Sequence, residues 1–325
     1  MTADQGHFLA LSGGVGGAKL ALGLSQVLPP KALSVLVNTG DDFTHLGLRI
    51  CPDLDSLMYA LSFRANQALG WGQEGETWQF LEALGQLGGE TWFRLGDRDL
   101  ATHIQRTQWL ASGLTLTEVT QNLCRNLGIK ITVLPMTDDV VATEIICQSG
   151  DVLAFQHYFV REQCQPPVLN VQFKGIETAT LNPAVGALLD GRSDLTAVII
   201  CPSNPFVSVK PILDLDQTAE RLIKSAAPVI AVSPIVSGLA IKGPAAKMMG
   251  EMSLPTSALG VAEYYVSNYP GVLDAFVIDR ADESYREAIE ALGLKVFITD
   301  TIMQSLEDRK RLADDVMGFC ESMRA

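Results

Sequence analysis

Phe8-Leu9-Ala10-Leu11-Ser12-Gly13-Gly14-Val15-Gly16-Gly17-Ala18-Lys19-Leu20-Ala21-Leu22 carries the chain from an apolar run, through a loop with four glycines, into a helical stretch. The run 8–12 lacks polar alternation, so it reads as a strand covered on both faces, the habit of a parallel sheet. The glycines that follow let the backbone turn sharply and come close to a ligand. A helix over 18–27 turns free N–H groups and the positive end of its dipole toward an anion. The plain alternative is a tight strand–helix turn without a ligand. The spacing is neither G-x-x-x-x-G-K-[ST], because Leu20 follows Lys19, nor G-x-G-x-x-G.

Outward from this stretch, apolar runs at 34–38, 130–134, 197–201, 229–233, 275–278 and 295–299 predict six further strands. Helical stretches at 218–225, 244–252, 283–292 and 305–323 alternate with the later ones. Such alternation predicts an α/β fold, a Rossmann-like, doubly wound and mainly parallel sheet. Residues 55–127 break the rhythm with four helical stretches in succession (55–64, 76–87, 99–112, 116–127), which predicts a helical insertion lobe. An antiparallel hairpin is expected from 140–148 and 152–159, turning at Ser149-Gly150-Asp151. No linker marks a second unit, so the 325 residues are expected to form a single domain.

With 47% hydrophobic and 19% charged residues, the chain has enough apolar material for a large core. Its net charge of −13 argues against a nucleic-acid partner, which would call for clustered Lys and Arg. No signal peptide or membrane span is read from the sequence. Cys51, Cys124, Cys147, Cys164, Cys201 and Cys320 are scattered, without metal-ligand spacing, and read as small apolar residues in a reducing, cytoplasmic setting. An acidic chain that handles phosphates must shield them with backbone N–H groups, placed cations or a divalent metal.

Candidate residues gather in loops after the strands, where open α/β sheets bind ligands. Gly13, Gly14, Gly16 and Gly17 form the first loop, and Lys19 one turn on is either a phosphate ligand or a solvated lysine. Asn38-Thr39-Gly40-Asp41-Asp42 and Pro135-Met136-Thr137-Asp138-Asp139 each end in paired carboxylates. Asp41, Asp42, Asp138 and Asp139 are therefore candidates to hold Mg²⁺, to activate a hydroxyl, or simply to cap turns. Ser203, Asn204 and Ser233 follow two later strands. Arg94, Asp97, Arg98, Asp99, His103 and Arg106 combine a helix start with a rare cationic cluster, either an anion site or an ion-pair network. Lys242-Gly243-Pro244 opens a stretch carrying Lys247, a second candidate anion-binding terminus. Trp71, Trp78, Trp92 and Trp109 lie in the helical stretch, as a ring-binding wall or as its core.

Together these residues resemble the 2-phospho-L-lactate transferase (CofD) family. The resemblance is carried by the glycine loop, Asn38-Thr39-Gly40-Asp41-Asp42, Pro52-Asp53-Leu54-Asp55, Leu95-Gly96-Asp97-Arg98-Asp99, Leu134-Pro135-Met136-Thr137-Asp138-Asp139 and Pro202-Ser203-Asn204-Pro205. Ala231-Val232-Ser233-Pro234-Ile235, Lys242-Gly243-Pro244-Ala245-Ala246-Lys247, Gly260-Val261-Ala262-Glu263-Tyr264-Tyr265 and Thr299-Asp300-Thr301-Ile302-Met303 extend it in order along the chain. It implies an Mg²⁺-dependent transfer of a phospholactyl group, or a phosphoenolpyruvyl or phosphoglyceryl relative, in coenzyme F-420 biosynthesis. The implied donor is linked to guanosine diphosphate, and the acceptor is the terminal hydroxyl of 7,8-didemethyl-8-hydroxy-5-deazariboflavin; GMP leaves. By motif, Asp55 and Arg94 match acceptor-contacting positions, with Asp97, Arg98 and His103 beside them, although some members carry Lys at the Arg94 position. Ser203, Asn204 and Ser233 resemble the nucleotide side of the cleft, and Gly13, Gly14, Gly16, Gly17, Lys19, Thr39 and Lys247 are the further nucleotide- and phosphate-binding candidates; Asp41, Asp42, Asp138 and Asp139 stay metal or hydroxyl-activating candidates, with Asp41 and Asp42 the expected metal pair. The resemblance alone also implies a homodimer. A related branch, the gluconeogenesis factors, binds a nucleotide sugar and is regulatory; Phe43-Thr44-His45-Leu46-Gly47 departs from its glycine- and serine-rich loop. A dinucleotide oxidoreductase would place an acidic residue where Asn38 stands.

Overall fold

The computed structural model describes residues 6–191, 195–240 and 243–324. Seven parallel strands form the central sheet: β1 (His7–Ser12), β2 (Leu33–Val37), β3 (Thr132–Pro135), β4 (Leu195–Ile200), β5 (Val229–Val232), β6 (Ala275–Asp279) and β7 (Lys295–Thr299). Their spatial order is β3-β2-β1-β4-β5-β6-β7. The chain therefore grows one way from β1 through β2 to β3, returns, and grows the other way from β4. The seven strands expected from sequence are these seven, each displaced by at most two residues at an end.

Strand side chains divide by their period of two. Leu9, Leu11, Leu36, Val198 and Ile200 enter one core, and Phe8, Ala10, Val35, Val37, Ala197 and Ile199 enter the other. The second core is completed by helices α1 (Gly14–Val27), α2 (Pro52–Leu61) and α5 (Leu116–Asn126), together with Leu306–Arg324. The first is covered by helices Pro183–Gly191 and Ala258–Asn268 and by a three-stranded antiparallel sheet. That sheet contains the expected hairpin, Ala142–Cys147 with Val152–Ala154, and adds Val168–Lys174. Residues 157–159, expected to end its second strand, belong instead to a π-helical turn, His157–Arg161.

The crossover from β2 to β3 holds the expected helical stretch, but little of it stands apart. Leu54, Leu57 and Met58 of α2 and Val119 and Leu123 of α5 belong to the same core as α1. Only α3 (Gln79–Gln86) buries no residue, and α4 (Asp97–Ala111) buries just Asp99, His103 and Arg106. A short hairpin, Phe43–His45 with Leu48–Ile50, precedes α2 and rests on α4. All six cysteines are free thiols, five of them buried. No helix among the described residues is long and apolar enough to cross a membrane.

Candidate active site

Because the strands are parallel, the loops after β1 to β5 leave from one edge of the sheet. The strand order reverses between β1 and β4, the usual ligand crevice of this architecture. There the glycine loop meets the loop after β4: the Gly13 N–H donates to Ser203 Oγ (3.2 Å). A Cβ on Gly16 would overlap the Pro202 carbonyl, and one on Gly17 would lie 2.6 Å from Ser12 Oγ. Gly14 adopts a left-handed conformation (φ +63°), and its N–H faces the Asp53 carboxylate. The glycines thus let two loops and a carboxylate close on the start of α1, which has no side-chain cap of its own.

Asn38 is the hub of the next layer. Its Nδ2 donates to Asp53 Oδ2 (2.9 Å) and to the Val207 carbonyl (3.2 Å), while its Oδ1 accepts from the Gly40 N–H (2.8 Å). Burial first, and the Asp53 charge second, push the Asp41 carboxyl well above the usual carboxylate range. Burial also raises Asp53 to about 6, against the hydrogen bonds from Asn38 and Gly14. Asp42 is raised to about 7 by burial, although Arg49 Nη2 lies 3.2 Å from its Oδ2; its Oδ1 and Thr39 Oγ1 are buried without a partner among the described residues. Asp53 bears on Asp41 more strongly than Asp42 does, so Asp53 joins Asp41 and Asp42 as a candidate metal ligand. Two adjacent buried carboxylates without an ion-pair partner among the described residues suit a hard divalent cation. No three His, Cys, Asp or Glu among the described residues are grouped to hold a metal unaided, so the remaining ligands would come from water and substrate phosphates, the habit of Mg²⁺.

Asp53 and Asp55 sit two residues apart in the first turn of α2, about 200° around the helix. They consequently serve opposite faces. Asp55 is gripped by both terminal nitrogens of Arg106, which is 1% exposed. His103 Nδ1 lies 3.6 Å from Asp55, its Nε2 lies 3.3 Å from Asp99, and Tyr59 OH donates to Asp99. Burial pushes Asp99 up, but His103 and Tyr59 more than offset it and leave it lowered. Arg106 also donates to the Arg49 carbonyl (3.3 Å). One buried charge network therefore joins α2, α4 and the hairpin, and Asp55 spends both oxygens inside it.

Several expected site residues have local work. Asp97 accepts from the Gln79 and Phe80 N–H groups at the start of α3, and Glu76 reciprocally accepts from Arg98 and Asp99 at the start of α4. Arg98 Nη1 donates to the Glu74 carbonyl. Asp138 caps α5 through the Thr117 N–H, and Asp139 accepts from Thr180; neither is joined by a hydrogen bond or ion pair to Asp41 or Asp42 among the described residues. Asn204 accepts from Phe206, and the Ser233 hydroxyl is closed onto Ile235. Lys19 reaches the Met303 carbonyl (3.0 Å), and Lys247 pairs with Glu251 beside Tyr158. Lys242 lies outside the described residues. Arg94 is exposed over the Trp78 and Trp71 rings, 4.4 and 5.8 Å from their centroids. Next to it, Trp92 and Phe93 pack with Phe43, His45 and His157 into a partly exposed aromatic wall.

A match to the family described as 2-phospho-L-lactate transferase CofD spans residues 8–315, nearly the whole of this site and its scaffold. The chain belongs to the CofD family. Among CofD relatives, a 2-phospho-L-lactate transferase of Methanosarcina acetivorans is 39% identical over 315 residues, covering 97% of this chain and 99% of that protein. A phosphoenolpyruvate transferase of Streptomyces avermitilis is 37% identical over 322 residues, covering 98% and 99%. A solved UPF0052-family structure from Bacillus halodurans aligns over 97% of this chain and 99% of its own, with TM-score 0.65 at 12% identity, which supports the CofD fold alone.

Proposed function

We propose that this CofD-family transferase moves a phospholactyl group, or its phosphoenolpyruvyl or phosphoglyceryl relative, from a guanosine diphosphate-linked donor to the terminal hydroxyl of 7,8-didemethyl-8-hydroxy-5-deazariboflavin. The observation that carries the reading is the crevice between β1 and β4, where the glycine loop meets both Ser203 and the Asp53 carboxylate, with Asp41 beside it. The acceptor hydroxyl attacks the phosphorus, the bond to the GMP oxygen breaks, and GMP leaves. Asp42, whose carboxyl titrates near neutrality, is suited to take the hydroxyl proton. Asp41 and Asp53 would hold Mg²⁺. The bound ion would supply charge neutralisation at the phosphoryl oxygens. Arg94 and the aromatic wall suit a planar deazaflavin, by stacking and by a cation beside the ring.

The test is fluorescence titration of the purified protein with the deazaflavin riboside. Arg94→Ala is expected to weaken saturable binding while leaving the melting temperature unchanged. Asp55→Ala is a poor control, because it would strand Arg106 unpaired in the interior. Absence of saturable binding by the unaltered protein would overturn the proposal.

A further inference from the structure

Lys19 and Lys247, the lysines expected to meet phosphate, spend hydrogen bonds on Met303 and on Glu251. Arg49 is held differently. It lies on the hairpin strand Leu48–Ile50, at the mouth of the β2 loop, and only its Nη2 has a partner among the described residues, Asp42 Oδ2 at 3.2 Å. Its side chain keeps 19% exposure. Its backbone is fixed at both polar groups: the N–H donates to Thr107 Oγ1 (2.8 Å), and the carbonyl accepts from Arg106 (3.3 Å). Arg49 thus stands between the Asp41–Asp42 turn and α4. A guanidinium is always charged and presents paired donors in a plane, the match for a carboxylate or phosphoryl edge.

We propose that Arg49 binds an oxyanion of the donor's transferred group, its carboxylate or its phosphoryl oxygen. The inference rests on the transferase reading above. In solution, the Asp42 contact holds the guanidinium in place with its remaining donors available; the donor's oxyanion then engages those donors.

Arg49→Gln and Arg49→Lys test this by three readouts: KM for lactyl-diphosphoguanosine, inhibition by GDP, and deazaflavin riboside affinity. Arg49→Gln is expected to raise the donor KM about tenfold to a hundredfold, the loss of a charge-assisted contact, with deazaflavin affinity unchanged. Arg49→Lys, keeping the charge without the fork, should fall between. If GDP inhibition weakens in parallel, the partner is a phosphoryl oxygen; if it does not, the partner is the carboxylate. A donor KM within twofold of the unaltered protein overturns the proposal. So does a joint loss of all three ligands with a lowered melting temperature, which would mark Arg49 as structural. An unaltered protein that binds neither GDP nor the deazaflavin would instead sink the transferase reading itself.

Discussion

Asp53 is buried beside Asp41 with amide donors and, among the described residues, no cation. Its folded-state pKa of about 6 stands above the ordinary 3.8, so the folded protein holds the proton more tightly than the unfolded chain. Its contribution is intact below about pH 4 and is lost as pH rises toward and through 6. Asp53→Asn is therefore expected to raise the melting temperature at pH 8 in a chelator and to blunt the rise that Mg²⁺ gives the unaltered protein. An equal Mg²⁺ response in both proteins would remove Asp53 from the cation site. Much at this scale was hidden from the sequence. An aspartate beside a loop looks the same whether it caps a neighbouring helix, as Asp97 and Asp138 do, or lies buried without an ion pair among the described residues, as Asp53 does. The partners that decide come from distant segments. The one available signal for Asp53 was its two-residue spacing from Asp55, which sends the two to opposite helix faces.

Elements were more legible than side chains, since strands buried on both faces declare themselves by unbroken apolar runs. The hairpin Phe43–His45 with Leu48–Ile50 escaped because three-residue strands leave too short a pattern to read. Successive helices look alike in sequence whether they pack on the sheet, as α2 and α5 do, or away from it, as α3 does. One buried tie between the exposed part and the body is the Asp55–Arg106 pair between α2 and α4. Arg106→Leu is expected to cost about 3–5 kcal/mol, because it abandons a buried carboxylate. In a double-mutant cycle by urea unfolding, adding Asp55→Asn should recover part of that loss. Strict additivity would mean that the two side chains do not stabilise one another.

For the whole molecule, family membership and the α/β architecture followed from motifs in order along the chain, whereas the spatial order of strands did not, because pairing partners lie far apart. The same separation sets a timetable. Leu11 pairs with Leu36 on one side and with Ile200 on the other. At about 5–20 residues per second, a ribosome delivers the second neighbour on the order of 10–40 s after the first strand emerges. A fragment ending at Gly191 keeps β1, β2 and β3 but leaves the apolar edge of β1 open, and it is expected to sediment as aggregate where the full chain stays in the supernatant. The strand that leads into the glycine loop is thus the first made and waits longest for its second neighbour, so a growing chain keeps an apolar edge open for longest beside the loop proposed to hold its donor.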